Sequence, residues 1–208
     1  CPVVYKGRFA ELGKDRCYGT ALDNRGGCAV LLDLAEKLSK EPCEVDVVLA
    51  ATVCEEFNLR GAMVCCAAVK PDFAIALDVN LAGDTPDMKG MFPVSLGGGP
   101  VLSMYNFHGR GTLNGTIPHP LLVKMAEQAA SELGIKLQRN ASVGILTDAS
   151  YVQLCGTGVP SMDLGFACRY THTAAEMCSI KDLKDLSELV ERMVRTAPGD
   201  IDFTRHYE

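Results

Sequence analysis

Strand-like and helix-like stretches alternate along most of this chain, and that alternation confines it to folds in which helices cover a sheet. Cys28 to Lys40 places Val30, Leu31, Leu34, Ala35 and Leu38 at helical spacing. A β-branched run follows from Glu44 to Val53 (EVDVVLAATV), then a helical stretch from Leu59 to Val69 and an apolar strand from Asp72 to Val79 (DFAIALDV). Farther on, Pro118 introduces an amphipathic helix from His119 to Leu133, Ser150 to Leu154 fits a short helix, and Val159 to Phe166 reads as a strand. Lys181 to Arg195 closes the pattern as a helix with Leu183, Leu186, Leu189, Val190 and Met193 inward. The economical arrangement is an α/β fold of three layers, with a mostly parallel sheet between helices. Leu81 to Phe107 is rich in Gly and Pro and reads as loops with one strand. Its LGGGP segment lacks both phosphate-binding glycine patterns, which argues against nucleotide binding.

With 208 residues, 48% of them hydrophobic, the chain can bury the core of one globular domain. The net charge of -6 offers no basic field for nucleic acid or an anionic membrane, which leaves small or peptidic substrates. No apolar run reaches the ~18 residues needed to span a bilayer, and the opening residues lack a signal peptide's apolar centre. The ten cysteines are irregularly spaced, contain no CxxC pair, and several lie inside apolar runs. Buried thiols in a soluble, cytoplasmic protein are the expectation. The chain opens on Cys1 rather than Met, in a short strand-like run (Val3, Val4, Tyr5) with nothing before it to pair with, so an upstream portion is expected.

The candidate chemistry lies at the ends of the expected strands. Asp23 follows a strand from Cys17 to Leu22, Glu55 and Glu56 follow the run ending at Val53, Asp78 ends DFAIALDV, and His172 comes soon after Val159 to Phe166. In an open parallel sheet the carboxyl ends of the strands face one crevice, so residues remote in sequence meet there. Carboxylates with a histidine form a hard donor set suited to zinc, cobalt or manganese. Each residue also has a plain structural reading: Asp23 as a helix cap, the Glu pair as acids at a helix N-terminus, Asp78 as a turn residue and His172 as an exposed loop histidine. The combination favours the metal. His108, His119 and His206 read as ordinary loop histidines, because none follows a clear core strand. Adjacent Glu residues at a turn can divide their work, one holding metal and Glu55 standing beside the attacking water as general base.

The strings ALDNRGGCAVLL, CEEFNLRGA, ALDVNLAGDTP, LTDASYVQLCGTGVPSMDL and CRYTHTAAEM, in this order, resemble the glutamyl and deblocking aminopeptidases that form tetrahedral particles, some of them labelled endoglucanases. The resemblance runs from about Gly19 to the closing helix. It implies a zinc-exopeptidase-like catalytic domain over 17–208 with two divalent ions, zinc first, cobalt or manganese as alternatives. Asp23 would bridge the ions, Glu56 and His172 would complete one ion's ligands, Asp78 would serve the other, and Glu55 would be the base. Asp148, Arg169 and Tyr170 fall in matching motifs around the site. A cis peptide between Asp23 and Asn24, peptide substrates, and dimers building a twelve-subunit tetrahedral shell are implied as well.

The chain departs from that pattern in three places. Asn58 stands where the family usually has Gly, and Cys54 where it usually has a polar residue. The family also carries an earlier histidine ligand and a small β-rich lid inserted before the Asp motif; residues 1–16 match only the last strand of that lid. Two other functions compete with the peptidase. A glycosidase needs carboxylates facing each other across a sugar, ~5 to 9.5 Å apart, which adjacent Glu55 and Glu56 suit poorly. A non-catalytic assembly module is the other alternative.

Overall fold

The computed structural model describes residues 1–109 and 114–204; His206 lies outside them. The elements in chain order are β1 (Phe9–Leu12), β2 (Arg16–Gly19), α1 (Leu22–Lys40), α2 (Arg60–Val69), β3 (Ala74–Leu81), β4 (Val101–Phe107), β5 (Gly115–Thr116), α3 (Pro120–Leu133), β6 (Gln138–Val143), α4 (Ala149–Val152), β7 (Ser161–Arg169), β8 (Glu176–Ser179) and α5 (Ile180–Arg195).

β7 is the axis of the sheet. β3 runs parallel to it from Ala74↔Ser161 to Leu81↔Cys168, and β4 and β8 pair with it antiparallel at successive positions. β2 joins β8 and β1 joins β2, both antiparallel, while β4 also pairs with β5 antiparallel and with β6 parallel. The α/β class is as the sequence implies, but the sheet is mixed rather than mostly parallel. The reason is connection length: β1–β2 and β7–β8 are joined by short turns, which link only antiparallel neighbours, and a parallel pair needs a longer crossover.

Alternation along β3 and β7 assigns the two faces. Ile75, Leu77 and Val79, with Met162, Leu164 and Phe166, pack with α1, α3 and α5 into the main core. On α5, Leu186, Leu189, Val190 and Met193 are buried in that core as the sequence predicts, and Leu183 packs against it. Ala74 faces the other way, into a smaller cluster with Ala62 and Cys66 of α2 and Val152 of α4. Asp78 and Asn80 of β3 and Asp163 of β7 share that second face. There the sheet is polar and cross-linked: Asn106 Nδ2 donates to Asp163 at 2.8 Å, Ser142 Oγ to Asn106 at 2.6 Å, Asn140 Nδ2 to Asn80 at 3.0 Å, and the Thr147 hydroxyl also donates to Asp163. These bonds satisfy groups that would be costly to bury unpaired.

Within the expected strand 44–53, residues 45–50 keep the alternating exposure of a strand, yet the run makes no ladder among the described residues. β-branched composition favours extension, but a strand also requires a partner. Leu49 packs against the main core, whereas Val48 and Val53 are exposed. A second expectation fails at His119, which is a buried N-cap rather than an exposed loop residue. Its Nδ1 accepts from Leu121 N at 3.3 Å, Pro120 supplies the first helical turn, and Nε2 lies 3.1 Å from Phe203 O.

The β3–β7 pair admits no side chain at residue 165. A Cβ on Gly165 would come within 1.9 Å of Asp78 O and 2.9 Å of Asn80 Nδ2. Gly165→Ala is therefore expected to push the strands apart at Asp78, costing about 3 kcal/mol or more and lowering Tm by roughly 6–12 °C. An unchanged melting curve would show that this contact relaxes freely.

Candidate metal centre

The regular part of α1 begins after an irregular start. Asp23 (φ −82°, ψ 101°) and Asn24 (φ −119°, ψ 43°) are non-helical, and the peptide between them is cis, as the resemblance implies. Asp23 does not cap the helix. Asn24 does that work: its Oδ1 accepts from Gly27 N at 3.0 Å, while its Nδ2 donates to Leu77 O of β3 at 2.6 Å. The Asp23 side chain is left to point across the strand ends.

His172 and the Glu pair meet it there. His172 Nε2 is 3.3 Å from Asp23 Oδ2 and 3.3 Å from Glu56 Oε1. One ligand atom from each of Asp23, Glu56 and His172 fits within 4.8 Å of the others, a spacing at which a single cation can touch all three. Glu55 and Asp78 are not in this tight group, but line the same cleft of about 450 Å³ together with it. His108 lines that cleft too, a place the sequence reading did not give it.

Glu176 holds the two arms of the site and went unnoticed in the sequence. Its Oε2 accepts from Asp23 N at 2.7 Å and its Oε1 from His172 N at 2.8 Å, and the residue is buried on β8 opposite Gly19. One carboxylate thereby ties the turn before α1 to the turn after β7. The signal available was its place four residues after His172 inside CRYTHTAAEM. Of the other residues flagged by motif, Asp148 accepts from Thr52 Oγ1 at 2.6 Å and stands near Glu55. Arg169 instead pairs with Asp84 at 2.7 Å, and neither it nor Tyr170 is among the residues lining the cleft.

The turns that carry these groups are conformationally unusual. Cys54, Asn58, Leu59, Tyr170 and His172 all have φ between 57° and 68°, a region most L-residues avoid. Asn is among the residues that enter it most readily, which accounts for Asn58 where the family pattern has Gly. Strain of this kind concentrates at functional sites.

The electrostatics are those of an acidic nest. Burial, then Glu56 and Glu176, raise the Asp23 carboxyl to about 6. Burial, then Asp148, Glu56 and Asp23, raise Glu55 to about 7, and burial followed by Glu55 and Asp23 puts Asp78 well above the usual carboxylate range. Carboxylates that oppose each other's ionisation, set beside an imidazole nitrogen, fit a divalent cation in charge and in donor type.

A carboxylate-rich cleft on a mixed sheet flanked by helices defines the class as an α/β domain with a candidate metal centre. The chain belongs to the M42 glutamyl aminopeptidase family, which it matches over residues 2–189. It is 41% identical over 189 residues to SgcX of Escherichia coli (strain K12), covering 91% of this chain and 51% of that protein. The structure of aminopeptidase APDkam598 from the archaeon Desulfurococcus kamchatkensis superposes with a TM-score of 0.86 at 33% identity, covering 93% of this chain and 53% of that one. The Pyrococcus horikoshii TET1 peptidase, which can assemble into a tetrahedron or a large octahedral shell, gives 0.79 at 27% identity over 93% of this chain and 54% of its own. The chain thus spans about half the length of the relatives it matches. Among the described residues, no helix is long and apolar enough to cross a membrane.

Proposed function

We propose that this chain is the catalytic part of a metal-dependent aminopeptidase that removes N-terminal residues from short peptides. The observation that carries the reading is the convergence of Asp23, Glu56 and His172 within 4.8 Å, in a cleft also lined by Glu55 and Asp78. Asp23, Glu56 and His172 would hold one divalent ion, and Asp23 with Asp78 would contribute to a second; zinc suits the donors best, with cobalt and manganese as alternatives. Bound there, such ions polarise a peptide carbonyl and acidify water. Glu55, beside that group and outside it, takes the proton from the attacking water and returns it to the departing amine. Glu176 keeps Asp23 and His172 in register through its two backbone hydrogen bonds. Residues 1–16 are read as the last strand of a β-rich lid. By analogy with TET1, whole subunits would assemble into a closed shell, with dimers building a twelve-subunit tetrahedron as the resemblance implies.

The test is a peptidase assay on a form extended to the length of its relatives. Cleavage of one residue at a time from unblocked short peptides, lost in a chelator and restored by zinc or cobalt, is the expected result. Chelator-insensitive cleavage, or cleavage of a glycoside instead, would overturn it. Light scattering on the same sample should give the mass of twelve subunits, and a monomer would remove the assembly.

A further inference from the structure

Away from the cleft, β2 and β8 bring two thiols together. Cys17 and Cys178 are direct cross-strand partners, buried to 2% and 0% exposure, with their sulfur atoms 3.4 Å apart. Directly opposed residues on antiparallel strands have Cα separations of about 4.5–5.5 Å, inside the range that a disulfide spans. The sulfurs already touch, so closing the bond requires a small approach and no strand shift. We propose that Cys17 and Cys178 form an oxidisable dithiol, converted by a small neutral peroxide into a cross-strand disulfide that clamps the two halves of the metal centre together.

Three observations support this. The thiol–thiol contact lowers the Cys17 thiol to about 7 and raises that of Cys178, so one sulfur is suited to attack and the other keeps its proton. Cys168 also pairs with Cys178 across β7 and β8, but burial and Glu176 push its thiol up to about 12, and its Sγ is directed to Arg169 O at 3.6 Å. It is therefore the weaker competitor. Finally, the pair lies beside the Gly19–Glu176 partners, and Glu176 is the residue that fixes Asp23 and His172.

The chemistry balances with hydrogen peroxide as oxidant. The Cys17 thiolate attacks one peroxide oxygen, an S–O bond forms, the O–O bond breaks, and hydroxide leaves to take up the thiol's proton as water. Cys178 then attacks the Cys17 sulfur: the S–S bond forms, the S–OH bond breaks, and the departing hydroxide takes the Cys178 proton. Two thiols are oxidised, one peroxide is reduced, and two waters are released.

The closed loop contains Asp23, Glu55, Glu56, Asp78 and His172, so the crosslink restrains the unfolded chain across the whole site. The test treats the 208-residue chain with hydrogen peroxide, blocks remaining thiols under denaturing conditions, and digests with trypsin without reductant. The expected product joins peptide 17–25 to peptide 170–181, with a Tm rise of roughly 5–15 °C that a reductant reverses. Cys168→Ala should form the same product, and Cys17→Ala should lose both the product and the Tm rise. Recovery of both peptides unlinked from the unsubstituted chain, or linkage of 170–181 to the peptide carrying Cys168, would overturn the proposal even if a variant folds poorly.

Discussion

Glu55→Gln in the extended enzyme is expected to cut kcat by ~100-fold or more while leaving its metal content unchanged. Glutamine keeps the shape and the hydrogen-bonding reach of the side chain but cannot accept and return a proton. Glu55 lies outside the tight group formed by Asp23, Glu56 and His172, so losing its charge should not release an ion held by that group. Its neighbour behaves oppositely. Glu56 Oε1 sits 3.3 Å from His172 Nε2, and Glu56→Gln should weaken metal binding by more than the ~10–100-fold typical of a residue that merely supports a ligand. Turnover and metal content measured on both variants separate the two roles. Near-full turnover in Glu55→Gln, or metal loss there with retention in Glu56→Gln, would reverse the division of labour.

How much of this could be read beforehand depended on whether a residue's physical role matched its type. α1, α3, α5 and β3 present apolar residues at the period of their element, and the sequence predicts each. β6 hid because its inward residues are Gln138, Asn140 and Ser142, polar groups buried against the hydrogen-bonded face of the sheet. β8 hid for a related reason, being short and carrying Glu176 inward. The run at 44–53 looked more strand-like than either, yet has no ladder, since composition says nothing about the presence of a partner. At the site, position at or after an expected strand singled out Asp23, Glu55, Glu56, Asp78 and His172, all of which line one cleft, although the run before the Glu pair forms no ladder and Asp78 lies within β3. What position could not reveal was support: Asn24 capping the helix in place of Asp23, Glu176 bridging two turns, and Asn58 tolerating a left-handed backbone.

The second large effect concerns the number of ions. In the proposed reading, Asp23, Glu56 and His172 would give one ion three protein ligands, which with water would complete a catalytic zinc shell. The second ion would have only Asp23 and Asp78 from these residues. His108 lines the cleft but is not in the tight group, His119 is committed to capping α3, and the earlier histidine implied by the family resemblance is not part of the 208 residues. The extended form should therefore hold two ions, and the 208-residue chain one, with little or no peptidase activity. Elemental analysis after exhaustive dialysis tests the account most directly: one zinc per 208-residue chain, lost in His172→Ala, is the predicted result, whereas two tightly held ions per chain, or an ion retained when His172 is removed, would contradict it.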